Sequence, residues 1–308
     1  ADYYQTLYER TLKSFQAEYF TSRGRIVSET QTGCVLALYF HLAKEKDRSS
    51  ILKALSANIE NHKNHLTTGF VGTPYLCYAL SENGAHDIAS MLFMKEDYPS
   101  WLYAVNMGAT TVWEKWNGIY PDGSMPHPGL NSMNHYANGS IGDWIYRKIA
   151  GINQLEPGYH RFYVKPMFVR GMEEAEASLE TPYGKIRSYW SCKNYQIQIK
   201  VTVPANTTAI LYLPEKNEPI EVGSGEYCYE YETKTSLKAL KFSMDSTLGD
   251  ILKEPLGFEM MKQMVPELIN NPMIEYAKKM TLAEGISTSP EIRPVYEAVI
   301  NALNKQDC

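Results

Sequence analysis

Between Asn194 and Pro204 the chain reads "NYQIQIKVTVP", with Tyr195, Ile197, Ile199, Val201 and Val203 alternating with Gln196, Gln198, Lys200 and Thr202. A period of two sends successive side chains to opposite faces, so this stretch predicts a strand with one face in a core and one in water. "AILYLP" (209–214) and "KIRSYW" (185–190) alternate likewise, the latter behind a "TPYG" turn (181–184). Residues 159–245 therefore read as a compact all-β unit, an antiparallel β-sandwich.

Upstream, residues 1–158 carry the helical period instead. In 31–45, Val35, Leu38, Tyr39, Leu42 and Ala43 fall on one face. In 49–62, Ser49 or Ser50 stands where a cap belongs, before Ile51, Leu52, Leu55 and Ile59. Ile88, Met91 and Leu92 mark another helix, and Ile141, Trp144, Ile145, Ile149 and Ile152 one more, ending near Gly158. Helices in series without strands between them predict antiparallel hairpins packed in layers. Over 246–308 the helical period returns, cut by Pro255, Pro266, Pro272, Pro290 and Pro294, which predicts short helices begun by proline. No internal repeat is evident. The fold class is thus multidomain α and β.

Bulk properties narrow the partners. The net charge is −5 with Lys and Arg dispersed, which argues against a nucleic acid or an anionic membrane surface. The best apolar run, "CVLALYFHLA" (34–43), includes a histidine and suits a core helix, not a membrane span. The start, "ADYYQTLYERTLKSF", has neither signal-peptide order nor an initiating Met, so a chain entered partway is expected. Five cysteines without C-x-x-C spacing predict neither disulfides nor structural zinc, and a reducing, cytoplasmic setting. His62 and His65 read as surface histidines, so no metal is expected.

One stretch carries chemistry. "TTVWEKW" (110–116) places Glu114 between Trp113 and Trp116, and a long Gly-, Pro- and Asn-rich segment (117–134) leads to Asn134, His135 and Tyr136. Long loops inside a compact domain are usually functional or disordered. If this one returns on itself, it gathers carboxylate, imidazole and indoles, the kit for holding a sugar and activating water. Spacing alone leaves open a surface glutamate beside a core pair of indoles.

The motifs "TQTG" (30–33), "TGFVGTPYLCYALSENGAHDIA" (68–89), "YPSWLY" (98–103), "GATTVWEKW" (108–116), "NSMNHYANGSIGDWIY" (131–146) and "AGINQLEPGY" (150–159) run in order along the chain, followed by "TPYGKI" (181–186) and "VPANTTAILYLP" (203–214). Through them the chain resembles the bacterial α-L-rhamnosidases, the inverting (α/α)6-barrel hydrolases of glycoside hydrolase family 78. The resemblance implies a partial (α/α)6 barrel over 1–158, a C-terminal sandwich over 159–245 and a helical extension over 246–308. It implies release of terminal rhamnose from a rhamnosylated glycoside or polysaccharide, without a cofactor. Glu114 matches the family's general base and His135 its contact to rhamnose hydroxyls. Trp101 matches part of the aromatic wall, while Trp113 and Trp116 brace the glutamate or touch sugar.

The departure from the pattern is equally specific. The family's general acid and its sugar-clamping Asp and Arg residues lie in an acidic segment upstream of these helices, and none of Glu29, Glu82, Asp97 or Asp122 sits in such a motif. About half of a twelve-helix barrel is expected, and little activity from this polypeptide alone. Its open face calls for a cover. The apolar face of the tail (Ile251, Leu252, Leu256, Met260, Met261, Met264, Leu268) is one candidate and a homo-oligomer through the open barrel face another; the tail also reads as a self-contained appendage. A truncated, catalytically inactive remnant that binds sugar, or another (α/α)-barrel glycosidase or lyase, are the alternatives.

Overall fold

Thr30, Gln31 and Gly33 of "TQTG" build the entry to the helical layer. In the computed structural model, which describes residues 1–126, 131–238 and 242–306, α1 (Asp2–Tyr19) precedes this entry and α2 (Gln31–Tyr39) follows it. The Thr30 side chain caps α2 by accepting the Gly33 N–H. A Cβ at Gly33 would sit 2.5 Å from the Ser28 carbonyl, so only glycine fits. Gln31, 1% exposed, uses both ends of its amide: it donates to the His65 carbonyl at 3.0 Å and accepts the Thr67 N–H at 2.7 Å.

Two hairpins follow, α2 against α3 (Arg48–Asn61) and α4 (Thr73–Glu82) against α5 (His86–Phe93), with α2 also packed on α4. Leu38, Leu55, Ile59, Leu76, Leu80 and Leu92 are buried between them. Each such side chain contributes roughly 1.5–3 kcal/mol on leaving water. Helix α1, by contrast, buries none of its residues and exposes Tyr3, Tyr4, Tyr8 and Tyr19. Then come α6 (Trp101–Asn106), α7 (Tyr136–Gly139) and α8 (Ile141–Trp144), which runs into a π-helical turn, Ile145–Ile149.

Three helix boundaries differ from the periodicity. Leu42 and Ala43 lie beyond α2, which ends where Phe40 leaves helical geometry and His41 turns left-handed (φ 52°). Neither Ser49 nor Ser50 caps α3, because a 3-10 turn, Glu45–Asp47, starts the coil earlier and the Ser50 hydroxyl donates back to the Asp47 carbonyl. Ile152 is in a strand, not on the last helix. Gly151 adopts φ 81° and lies so close to the Lys165 backbone that the helix stops there.

The strands make two four-stranded sheets. One has the order β1 (Ile152–Gln154), β2 (Arg161–Val164), β6 (Thr208–Leu211), β7 (Ile220–Val222). The other has the order β3 (Glu174–Thr181), β4 (Gly184–Lys193), β5 (Gln196–Val203), β8 (Gly225–Glu232). The second is antiparallel throughout, whereas β2 and β6 pair in parallel, so the sandwich is mixed. Tyr195 is not part of β5. It shares left-handed geometry with Asn194 (φ 60° and 50°), the conformation a tight two-residue hairpin requires. Ile197, Ile199, Val201 and Val203 do face the core as the alternation predicts.

Helices and sheets share one core. The Trp190 indole donates to the Ile149 carbonyl at 2.8 Å and the Ser188 hydroxyl to the Ala150 carbonyl at 2.7 Å. A second link runs through His86, whose Nε2 lies 2.9 Å from the Phe168 carbonyl and whose Nδ1 lies 2.9 Å from Ser81 Oγ. A carbonyl only accepts, so the proton is on Nε2 and Nδ1 takes the Ser81 hydroxyl proton. Ser81 Oγ in turn accepts from the Trp144 indole at 3.2 Å. The relay has one direction, from α8 through α4 and α5 to the chain ahead of β3.

Residues Ala1–Leu237 form one compact unit, and Lys238–Cys308 a second with its own core. In it Ile251 and Met261 are buried and Leu252, Leu256, Met260 and Leu268 are packed around that core, while Met264 is exposed. The apolar face of this tail thus serves its own unit. Its helices are α9 (Leu248–Lys253), α10 (Pro255–Met264), α11 (Pro266–Ile269), α12 (Ile274–Ala277), α13 (Leu282–Thr288) and α14 (Arg293–Gln306). A repeat is present here after all. Leu248 N–H bonds the Met280 carbonyl and Leu282 N–H the Ser246 carbonyl, both at 3.0 Å; Gly249 N–H bonds Lys278 and Ala283 N–H bonds Met244, both at 2.9 Å. Each bond is its partner displaced by 34 residues (248 to 282, 246 to 280). Thr247 and Thr281 both cap the following helix, through the N–H of Asp250 and of Glu284.

Two predictions follow from the first unit, and tryptophan fluorescence reads both, since Trp101, Trp113, Trp116, Trp144 and Trp190 all lie in it. Gln31→Leu strands the Thr67 N–H and the His65 carbonyl and should lower the unfolding free energy by about 1–3 kcal/mol in urea titration. Burial holds the His86 pKa below its ordinary 6.5. Its contribution is complete above that value and is lost as pH falls toward the lowered one, because the unfolded chain takes up the proton first. The stability gap between wild type and His86→Gln should therefore narrow from pH 7.5 to pH 5.

Candidate active site

The long connection between α6 and α7 does return on itself. Segments 112–114 and 132–135 lie side by side: the Glu114 N–H donates to the Ser132 carbonyl at 2.9 Å and the His135 N–H to the Val112 carbonyl at 2.8 Å. Thr111 Oγ1 adds a bond to the Met133 carbonyl. Residues 127–130, within the expected loop, lie outside the described residues.

Glu114 is exposed, and its carboxylate is pinned at one oxygen. Oε2 accepts the Ser132 N–H at 2.8 Å, while Oε1 takes no hydrogen bond among the described residues. His135, half-buried, is the N-cap of α7, its Nδ1 accepting the Ala137 N–H at 3.3 Å. A neutral ring held this way carries its proton on Nε2 and presents it as a donor. Tyr136, 81% exposed, stacks on the imidazole at 5.4 Å and 15°, and exposed Phe70 lies 6.3 Å from it.

The three tryptophans form a separate group. Trp113 and Trp101 are buried and Trp116 half-buried, the last meeting Trp101 edge to face at 5.2 Å. Together they line a pocket of about 340 Å³ that neither Glu114 nor His135 enters. The structure therefore brings Glu114 and His135 onto one paired segment but does not gather the indoles with them as the sequence led us to expect; those surround a pocket of their own.

Asn138 is what the sequence reading missed. It is 4% exposed, and its side-chain amide donates to the carbonyls of both Trp113 (2.9 Å) and Glu114 (3.0 Å). Its own carbonyl accepts the Trp101 indole N–H at 2.9 Å. The sequence offers Asn138 only as part of an Asn-Gly-Ser triplet, a surface signal that its burial contradicts. Phe70 was equally hidden, inside the "TGFVGTP" motif.

The rest of the chemistry is sparse. No group of three or more His, Cys, Asp or Glu among the described residues is placed to hold a metal ion. Cys34, Cys77, Cys192 and Cys228 are free thiols. Burial pushes the Cys77 thiol up to about 12 and, with Glu29 nearby, Cys34 to about 11, so neither is a nucleophile. No helix among the described residues is long and apolar enough to cross a membrane.

Residues 1–149 match the family model described as the bacterial alpha-L-rhamnosidase 6 hairpin glycosidase domain, and residues 151–227 that of the bacterial alpha-L-rhamnosidase C-terminal domain. The chain belongs to the bacterial alpha-L-rhamnosidase family. An alpha-L-rhamnosidase of Formosa agariphila is 40% identical over 216 residues, covering 70% of this chain and 23% of that protein. One from Streptomyces avermitilis is 37% identical over 211 residues, 68% of this chain and 20% of the relative. The crystal structure of the Streptomyces avermitilis alpha-L-rhamnosidase complexed with L-rhamnose matches with a TM-score of 0.71 at 34% identity, over 74% of this chain and 24% of that one. The native Aspergillus terreus enzyme matches with a TM-score of 0.72 at 35% identity, over 75% and 27%. The chain thus spans about a quarter of the length of these rhamnosidases. Within the family frame the fold is a set of six-hairpin-type helices, two β-sheets and a helical tail that neither family model reaches.

Asn138→Asp should loosen the Glu114 segment, since it replaces two N–H donors by an oxygen facing two carbonyls. The expected loss is about 1–3 kcal/mol of unfolding free energy, with a shift in tryptophan emission from Trp113.

Proposed function

We propose that this part of a rhamnosidase carries the general base for hydrolysis of terminal α-L-rhamnosyl residues, with inversion at the anomeric carbon. The observation that carries the proposal is the half-pinned carboxylate. The Ser132 N–H holds Oε2 of Glu114 while Oε1 is left to accept a proton from water. Inverting glycosidases set base and acid roughly 6.5–9.5 Å apart so that a water fits beneath the sugar. His135, donating from Nε2, serves as a ligand to a rhamnose hydroxyl, and the rings of Phe70 and Tyr136 flank it. Trp113 and Trp116 brace the chain segment that carries the glutamate, and their pocket lies outside the reacting groups.

The proton donor for the departing oxygen comes from the part of a complete rhamnosidase that this polypeptide does not contain, so the 308 residues alone should hydrolyse an aryl α-L-rhamnoside poorly. The exposed tyrosines of α1 and the aromatic cluster at His135 support a second reading, sugar binding without turnover.

A polypeptide extended upstream to include a complete six-hairpin domain separates the two. There Glu114→Gln should lower kcat on an aryl α-L-rhamnoside by about 10²–10⁴-fold with little change in KM. Undiminished turnover would remove Glu114 from the mechanism. Absence of turnover in the extended wild type, with L-rhamnose still bound in calorimetry, would favour the binding reading.

A further inference from the structure

The pocket behind Trp113 takes no part in the reaction proposed above, and its lining has a chemistry of its own. Trp101, Trp113 and Trp116 all line it, with Trp101 and Trp116 meeting edge to face at 82°. The Trp101 N–H is already given to Asn138, so that ring offers carbon surface and not a hydrogen bond. The aliphatic lining includes Val105 and Val112, which are 59% and 36% exposed and mark where the pocket meets solvent. Its volume, about 340 Å³, falls within the range of small-molecule sites, roughly 300–1,000 Å³.

Polar groups in the lining are few. Of its two hydroxyls, that of Thr111 is spent on the Met133 carbonyl, which leaves only that of Thr110 to meet a ligand. A sugar, which needs a hydrogen-bond partner for most of its hydroxyls, is a poor match. The only charged lining residue is Lys115, half-buried and without an ion pair among the described residues. An ammonium at the edge of an apolar pocket attracts an anion more strongly than one in open water, because the surrounding dielectric is lower.

We propose that this pocket binds a flat aromatic anion: one or two fused rings lying against the indoles, with a carboxylate directed at Lys115. The site is separate from the sugar site, since neither Glu114 nor His135 lines it, and it does not rest on the assignment of Glu114 as a base.

Calorimetric titration of the full 308-residue chain with 2-naphthoate tests it. Saturable binding of one molecule per chain is expected, at least tenfold tighter than that of the neutral isostere 2-naphthalenemethanol. Lys115→Met should erase the difference between acid and alcohol, and Ala109→Trp, which fills the pocket, should abolish both. Val105→Trp narrows the same pocket from its rim and serves if Ala109→Trp does not fold. L-rhamnose should not displace the naphthoate. Absence of saturable binding, equal affinity for acid and alcohol, binding that survives the filled pocket, or displacement by L-rhamnose would each overturn the proposal.

Discussion

The carbonyls of Trp113 and Glu114 converge on a single side-chain amide, that of Asn138. Two adjacent carbonyls pointing into protein need donors, and a buried acceptor left without one costs about 1–3 kcal/mol. An asparagine amide supplies both from one nitrogen. Its position is set by α7, which His135 caps, so the residue that begins the helix and the residue that anchors the glutamate lie within one turn. The main-chain carbonyl of the same asparagine holds Trp101. The exposed carboxylate, the imidazole and the aromatic pocket all depend on that one polar junction.

The junction is held in place by hydrogen bonds that run beneath it. Helix α8 follows α7 directly, and its Trp144 enters the relay through Ser81 and His86 to the Phe168 carbonyl. Every proton in that relay has one possible place. Deeper still, Trp190 and Ser188 of β4 bond the carbonyls at the end of the π-helical turn. The sheets therefore act on the site at a distance, by holding the floor on which α7 and α8 stand.

What the sequence made legible follows from how local each signal is. The strand β5 and its buried face were readable because alternation is a property of neighbouring residues. Glu114 drew attention as a carboxylate beside indoles, but spacing alone left it open as a surface residue, and His135 owed its role as a sugar ligand to the family resemblance alone. Boundaries were less legible. Leu42 and Ile152 continue the apolar period past points where His41 and Gly151 force the backbone out of the helix, and period carries no information about φ. The parallel pairing of β2 with β6 joins strands far apart in the chain, which alternation cannot report. Asn138 was illegible for a related reason: its importance lies in the two carbonyls that happen to face it. The repeat in the tail escaped notice because the two halves share little beyond a capping threonine, a leucine and an acid.

That repeat has a mechanical corollary. The helices among its described residues, several no longer than a turn or so, are too short to persist singly in water. The reciprocal bonds across Ser246–Leu248 and Met280–Leu282 mean that neither segment can fray without stripping the other of its partners. A module stitched this way through its middle should melt as a single block.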